Sequence, residues 1–137
     1  MRDKQEEAQA WHAIREEVFI KEQGFQNEFD EIDEIAEHIV LYSEDDPVGC
    51  GRIYPDQKKQ GIWHLGRVAI RKPYRKCGYG KVILGALEIQ AKDLGAMTMQ
   101  LSAQVQAIPF YEICGYHTIG EEYMDEHVPH RTMQKIL

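Results

Sequence analysis

The chain has 137 residues, enough to bury the core of one domain, and 43% hydrophobic against 28% charged residues puts it among globular proteins rather than disordered ones. Sixteen Lys and Arg against 23 Asp and Glu give a net charge of −7, which argues against nucleic-acid binding as a general activity. No apolar run approaches the roughly 20 residues of a membrane span. The segment Met1–Glu7 is too polar for a signal peptide. Cys50, Cys77 and Cys114 are widely spaced and form no C-x-x-C, which points to reduced thiols, a cytoplasmic location and no zinc site.

Asp3-x-x-Glu6 reads as a capping box that opens a first helix. Trp11, Ile14, Val18 and Phe19 recur at helical spacing to about Ile20, and Gly24 follows the helix end. Residues 28–37 carry six acids (Glu28, Asp30, Glu31, Asp33, Glu34, Glu37) with Phe29, Ile32 and Ile35 three apart, a short second helix or turn whose acids read as a solvated face or as a field that steers a cationic amine. His38–Ser43 and Val48–Tyr54 read as a hairpin around Glu44–Pro47. A polar loop, 55–61, leads to a strand over Ile62–Ile70. A third helix runs from about Tyr79 to Leu94, with Ile83, Leu87, Ala91 and Leu94 on one face and Gly95 as its stop. A strand over Met97–Ala103, a short helix over Gln106–Ile113 and a final antiparallel pair, Tyr116–Tyr123 with His130–Ile136, complete the order. This predicts one α+β domain over residues 1–137, with a mixed sheet and one parallel crossover through the third helix.

The stretch between the third strand and the third helix carries the chemistry. Arg75-Lys76-Cys77-Gly78-Tyr79-Gly80 is a basic loop with two glycines ahead of a helix start, where free backbone N–H groups and the helix dipole favour an anion. Arg71, Lys72, Arg75, Lys76 and Lys81 place five of the chain's 16 basic residues within eleven positions. Cations at a helix N-terminus oppose the dipole, so the cluster calls for an anionic ligand. A P-loop would need Ser or Thr where Val82 stands, and the dinucleotide fingerprint would need Gly where Ile83 stands, so a nucleotide-binding protein is disfavoured.

The pattern R-x-x-G-x-G after Val68-Ala69-Ile70 and Pro73 resembles the acyl-coenzyme A loop of the GNAT superfamily of N-acyltransferases. Gln104 to Tyr116 is similar to its second signature, N-x-x-A-x-x-F-Y-x-x-x-G-F, and Val18–Phe25, the acidic run and Val128-Pro129-His130 look like a short bacterial subgroup. Gln104 replaces the commoner Asn, and Lys76 and Cys77 replace the commoner Gly and basic residue. No room exists ahead of the first helix for the family's first strand, so the resemblance implies a mostly antiparallel GNAT sheet that lacks that edge strand.

The resemblance implies an acetyl-CoA-dependent N-acetyltransferase that moves the acetyl group directly to a primary amine of a small molecule or peptide in a ternary complex, with no metal. The alternative is a non-catalytic acyl-CoA-binding or sensing domain of the same fold. The pantetheine arm would run along Val68, Ala69 and Ile70; the pyrophosphate would take the N–H groups of Arg75, Lys76, Cys77, Gly78, Tyr79 and Gly80; Gln104 would reach the cofactor arm. Tyr111 matches the family's general acid, which protonates the departing thiolate. His64, four residues before Val68, is the candidate base, with His130, Asp33 and Glu34 as rivals. A homodimer is a further expectation, since GNAT dimers are common.

Overall fold

The computed structural model describes residues 2–137. Helix α1, Lys4–Arg15, starts where the capping box predicts: Asp3 Oδ1 accepts from the Glu6 N–H at 2.8 Å. The chain then leaves α-helical geometry earlier than the apolar spacing predicts and continues as a π-helical segment, Glu16–Glu22. The wider turn keeps Val18 and Phe19 buried, and Gly24 (φ +78°) then reverses the chain. A one-turn helix α2, Ile32–Ile35, precedes strands β1 (Glu37–Ser43), β2 (Asp46–Pro55) and β3 (Ile62–Ile70). Helix α3 (Tyr79–Asp93) crosses over to β4 (Thr98–Gln104). A 3₁₀ turn, Val105–Ala107, feeds the short helix α4 (Ile108–Ile113), and β5 (His117–Asp125) and β6 (Val128–Ile136) close the fold.

The six strands form one sheet in the order β1-β2-β3-β4-β6-β5, parallel only between β3 and β4. This is the mixed, mostly antiparallel α+β architecture expected, and among the described residues no strand precedes α1. One core lies between the sheet and α3, built on Ile83, Leu84, Leu87 and Ala91 against Ile53, Leu65, Met99, Leu101 and Met133. Gly49 and Gly51 let α3 approach: a Cβ on Gly51 would lie 2.6 Å from Leu87 Cδ1. A second core packs Ile14, Val18, Phe19 and Phe25 against Cys50 and Ala69 on the opposite face.

Two irregularities of β3 prepare the site. Its register against β2 slips by one residue between Cys50 and Arg52, and Arg67 takes φ +54° in the resulting bulge. Simple alternation would put Ala69 on the face of Leu65. The extra residue reverses the phase, so Val68 and Ile70 join Leu65 on the α3 side while Ala69 packs beneath α1. In addition, β3 pairs with β4 only from Ile62↔Thr98 to Leu65↔Leu101. Beyond Leu65 it stays with β2 to Ile70, while β4 stays with β6 to Gln104, so the sheet opens into a wedge. Backbone polar groups of β3 past Leu65 that face β4 have no ladder partner there.

Candidate active site

The glycine loop occupies the mouth of the wedge. Lys72–Tyr74 make a 3₁₀ turn with Pro73 inside it, and the chain reaches α3 through Lys76 (φ +63°) and Gly78 (φ +84°). Among the described residues the N–H groups of Lys76, Cys77, Gly78, Tyr79 and Gly80 find no acceptor, whereas Val82 N–H already closes onto the Gly78 carbonyl at 3.4 Å. Alternating left- and right-handed conformations ahead of a helix turn such groups into one concavity suited to an anion. Gly78 supplies the left-handed step, and a Cβ there would meet nothing within 4 Å. Gly80 has a different reason: its Cβ would stand 3.1 Å from Phe110 Cζ, so its smallness serves the contact of α3 with α4 rather than the approach of a phosphate.

The basic cluster divides into two groups. Arg75 grips Glu22 bidentately (2.6 and 2.8 Å) and donates from Nε to the Ile70 carbonyl at 2.8 Å. Arg71 pairs with Glu17 at 3.2 Å and donates to the Pro47 carbonyl. The Arg75 hydrogen bond holds the Glu22 carboxyl below its ordinary range. Both arginines therefore fasten the loop to the π-helical segment, and Lys72, Lys76 and Lys81 have no carboxylate within salt-bridge distance among the described residues.

Behind the loop, a hollow of about 560 Å³ is bounded by Val68, Ala69, Ile70, Lys76, Gly78 and Tyr111, among others. On the other side of the wedge lies a second hollow of about 290 Å³, bounded by Phe25, Glu28, Arg67, Ser102, Gln104 and His130, among others. Tyr111, Gln23, Val68 and Ala107 line both, so they stand where the two meet. The Tyr111 hydroxyl has no hydrogen-bond partner among the described residues. Burial pushes its pKa up to about 12, which keeps the phenol protonated at neutral pH. Gln104 accepts from Gln106 at 2.6 Å and donates to Gln23 at 2.7 Å, which ties the end of β4 to the π-helical segment.

The acidic run is a solvated face at Asp30, Glu31, Glu34 and Glu37, but two of its acids turn inward. Glu28 is buried and Asp33 half-buried against Arg15 and Arg52, which are only 1% and 3% exposed. Arg15 donates to Glu28 Oε2 at 2.7 Å and to Asp33 Oδ1 at 2.6 Å. Arg52 donates to Asp30 at 2.8 Å and to Asp33 at 2.7 Å, and Arg67 Nε lies 3.1 Å from Glu28 Oε2. Burial works to raise Asp33, but Arg15 and Arg52 outweigh it and hold its carboxyl below the usual range. At Glu28 burial prevails over Arg67 and Arg15, and its carboxyl is raised. Asp33 is thus a structural anion, and Glu34 lies outside both hollows.

The sequence gives no direct sign of Gln23, Glu28 or Arg67 as site residues. One signal exists: Arg15 interrupts the apolar stripe Trp11-Ile14-Val18, and a guanidinium on a buried helix face demands acids elsewhere. His64 is not brought to the seam. Its Nε2 donates to Asp56 Oδ1 at 2.7 Å, its ring stacks on Tyr54, and it faces a third hollow shared with Tyr54, Gln100 and Thr132. His130 does line the Tyr111 side, with Nδ1 donating to the Val128 carbonyl, while His127 Nε2 donates to the Gln23 carbonyl. Cys50 is buried, and burial pushes its thiol up to about 12. Cys77 is exposed at the loop and lines neither hollow.

Comparison with known proteins agrees with this geometry. The acetyltransferase (GNAT) domain family matches residues 2–137. The uncharacterized N-acetyltransferase YjcF of Bacillus subtilis (strain 168) is 43% identical over 125 residues, 89% of this chain and 87% of that protein. A crystal structure from Lactobacillus plantarum superposes with a TM-score of 0.88 at 33% identity, covering 98% of this chain and 93% of that one. An aminoglycoside 6′-N-acetyltransferase complexed with coenzyme A shares the fold at 16% identity, with a TM-score of 0.75 over 98% of this chain and 92% of its own. A wedge-split sheet, a glycine loop of free amides and a family match over nearly the whole chain lead to one assignment: the protein belongs to the GNAT acetyltransferase family and is an acyltransferase.

Proposed function

We propose that residues 1–137 act as one N-acetyltransferase domain that transfers an acetyl group from acetyl-CoA directly to a primary amine in a ternary complex. The observation that carries this reading is the position of Tyr111, on the wall common to the two hollows. The larger hollow, with the loop amides and the unladdered edge of Val68–Ile70, suits a long, phosphate-bearing cofactor; the neighbour solved with coenzyme A has the same fold. The smaller hollow then receives the amine, and the thioester lies between them, beside the phenol. The lysines of the loop, Lys72, Lys76 and Lys81, supply positive potential for the cofactor phosphates.

In this scheme no covalent enzyme intermediate forms. The neutral amine attacks the thioester carbonyl, the C–N bond forms, the C–S bond breaks, and Tyr111 gives its proton to the departing thiolate. The second proton lost by the acceptor nitrogen restores the phenol. The test pairs calorimetric titration with acetyl-CoA and a thiol-release assay over a panel of primary amines. Saturable acetyl-CoA binding with amine-dependent thiol release is expected. Binding without release above background would identify an acyl-CoA sensor instead, and absence of binding would refute the site.

A further inference from the structure

Glu28 is a buried carboxylate that the acid step leaves without a role. It is 4% exposed, and two guanidiniums fix one of its oxygens: Oε2 accepts from Arg15 Nε at 2.7 Å and lies 3.1 Å from Arg67 Nε. Arg15 also donates to its main-chain carbonyl at 2.8 Å. Oε1 is different. It has no hydrogen-bond partner among the described residues, yet it is not sealed in, because the fully buried side-chain atoms left unpartnered there are Arg52 Nε and Arg131 Nε. Glu28 lines the smaller hollow together with Tyr111. A carboxylate on the chamber wall, held by one oxygen while the other is unpartnered and not sealed in, is placed to meet a ligand donor.

The chamber's charge states what kind of donor. Glu28, Asp125 and Glu126 line it against one guanidinium, Arg67, whose Nε is already turned to Glu28. Glu126 is itself fixed, accepting the N–H groups of Gln26 and Asn27 at 2.9 and 3.1 Å. Such a lining favours a cation.

We propose that Glu28 Oε1 binds the acceptor amine as its ammonium and takes the proton that must leave before attack, so that Glu28 is the catalytic base of this acyltransferase and its acceptors are cationic primary amines. The inference rests on the acyl-transfer reading above. The first ammonium proton passes to Oε1 and on to solvent, leaving the lone pair to attack the thioester; the later protons move as already described. The groups that set the carboxylate's charge come from every side: Arg15 from α1, Arg52 from β2, Arg67 from β3, Asp30 and Asp33 from the segment at α2, and Asp125, Glu126 and His130 from the β5–β6 end. Burial raises the Glu28 carboxyl toward neutrality, which suits a proton acceptor.

The experiment compares wild type with Glu28→Gln through two readouts. In calorimetry, an arylalkylamine, an aliphatic diamine and a lysyl peptide are each titrated into the protein with and without coenzyme A. The best wild-type ligand is expected to bind Glu28→Gln at least about tenfold more weakly. In the thiol-release assay, the wild-type to variant ratio is expected to be ~10²-fold or more near neutral pH and to shrink toward unity at about pH 10, where the amine sheds its own proton. Unchanged amine affinity, or a ratio that stays constant across pH, overturns the proposal. If Glu28→Gln does not fold, Glu28→Asp keeps the charge for the two guanidiniums but retracts the carboxylate; a folded Glu28→Asp at wild-type rate and affinity also overturns it. A wild type that binds amines but neither binds nor turns over acetyl-CoA refutes the acyl-transfer reading, and the titrations still decide the role of Glu28 as ammonium ligand.

Discussion

The two sides of the wedge are built from different materials. The loop side is centred on one stretch of chain, residues 68–81, and its working groups are backbone amides in a fixed conformation. The opposite side is assembled from side chains of the π-helical segment, the segment before α2, β3, β4 and β6, held by a largely buried network of Arg15, Glu28, Asp33, Arg52 and Arg67. A backbone site tolerates many side chains and depends on a few special conformations. A side-chain site depends on the whole fold arriving in register. The first kind leaves a local pattern in sequence; the second leaves isolated residues far apart.

That contrast yields predictions that differ by side. The largest effect should fall on stability, on the side-chain wall. Arg15→Ala leaves Glu28 and Asp33 without their shared guanidinium, and breaking a buried pair in this way costs roughly 3–5 kcal/mol. Urea unfolding should show the loss, and a variant within about 1 kcal/mol of wild type would mean the network contributes little. The network also sets a pH dependence. Asp33 and Asp30 are held below their unfolded values, so their contribution is fully present above about pH 4 and is lost as pH falls through the depressed values. Asp33→Asn should therefore flatten the acid limb of a stability profile.

At the seam the effect should be on rate alone. Tyr111→Phe keeps the ring and removes a hydroxyl that has no hydrogen-bond partner among the described residues, so turnover should fall by ~10²-fold or more while acetyl-CoA affinity stays within about threefold. A variant with wild-type turnover under conditions where chemistry limits the rate would remove Tyr111 from the mechanism.

The loop side should respond through binding. Gly80→Val presses a branched side chain into Phe110 and shifts the start of α3, with an expected loss of about tenfold in acetyl-CoA affinity by calorimetry. Undisturbed affinity would separate the helix start from the cofactor site. The smallest effect belongs to His64. With Nε2 committed to Asp56 and its ring in a neighbouring hollow that Tyr111 does not line, His64→Ala should leave the pH–rate profile unchanged and turnover within about threefold, whereas loss of the acidic limb would restore His64 as the base.

What could be read from the chain follows the same division. Periodicity gave the element order, because the longer helices and the central strands bury a continuous face, and the R-x-x-G-x-G and A-x-x-F-Y patterns located the loop and Tyr111, because their geometry is local. The π-helical turn at Glu16–Glu22 escaped, since an apolar spacing of three and four residues cannot distinguish a helix that widens after Arg15. Two acids of residues 28–37, Glu28 and Asp33, misled for a related reason. Charge runs are ordinarily solvated, and only the fold brings Arg15 and Arg52 beneath them. Gly80 showed a third limit: a motif marks where a side chain is forbidden without saying which neighbour forbids it, and here that neighbour is Phe110.

The bulge at Arg67 has a consequence for how this protein can change in length. Upstream of it, the exposed tip of the polar turn at 56–61 lies outside the strands, where a change of length costs the turn's own hydrogen bonds to Asp56 but leaves the facing of the strands alone. Between Gly66 and Val68 a single deletion would remove the bulge and keep Val68 and Ile70 on the α3 side, whereas a single inserted residue, paired in regular register, would carry Ala69 to the face of α3 and swing Val68 and Ile70 toward α1. Both cores would then be mismatched at once, and the edge that lies along the larger hollow would present the wrong row of groups. Over those three residues one residue more would cost the two cores what one residue fewer would not.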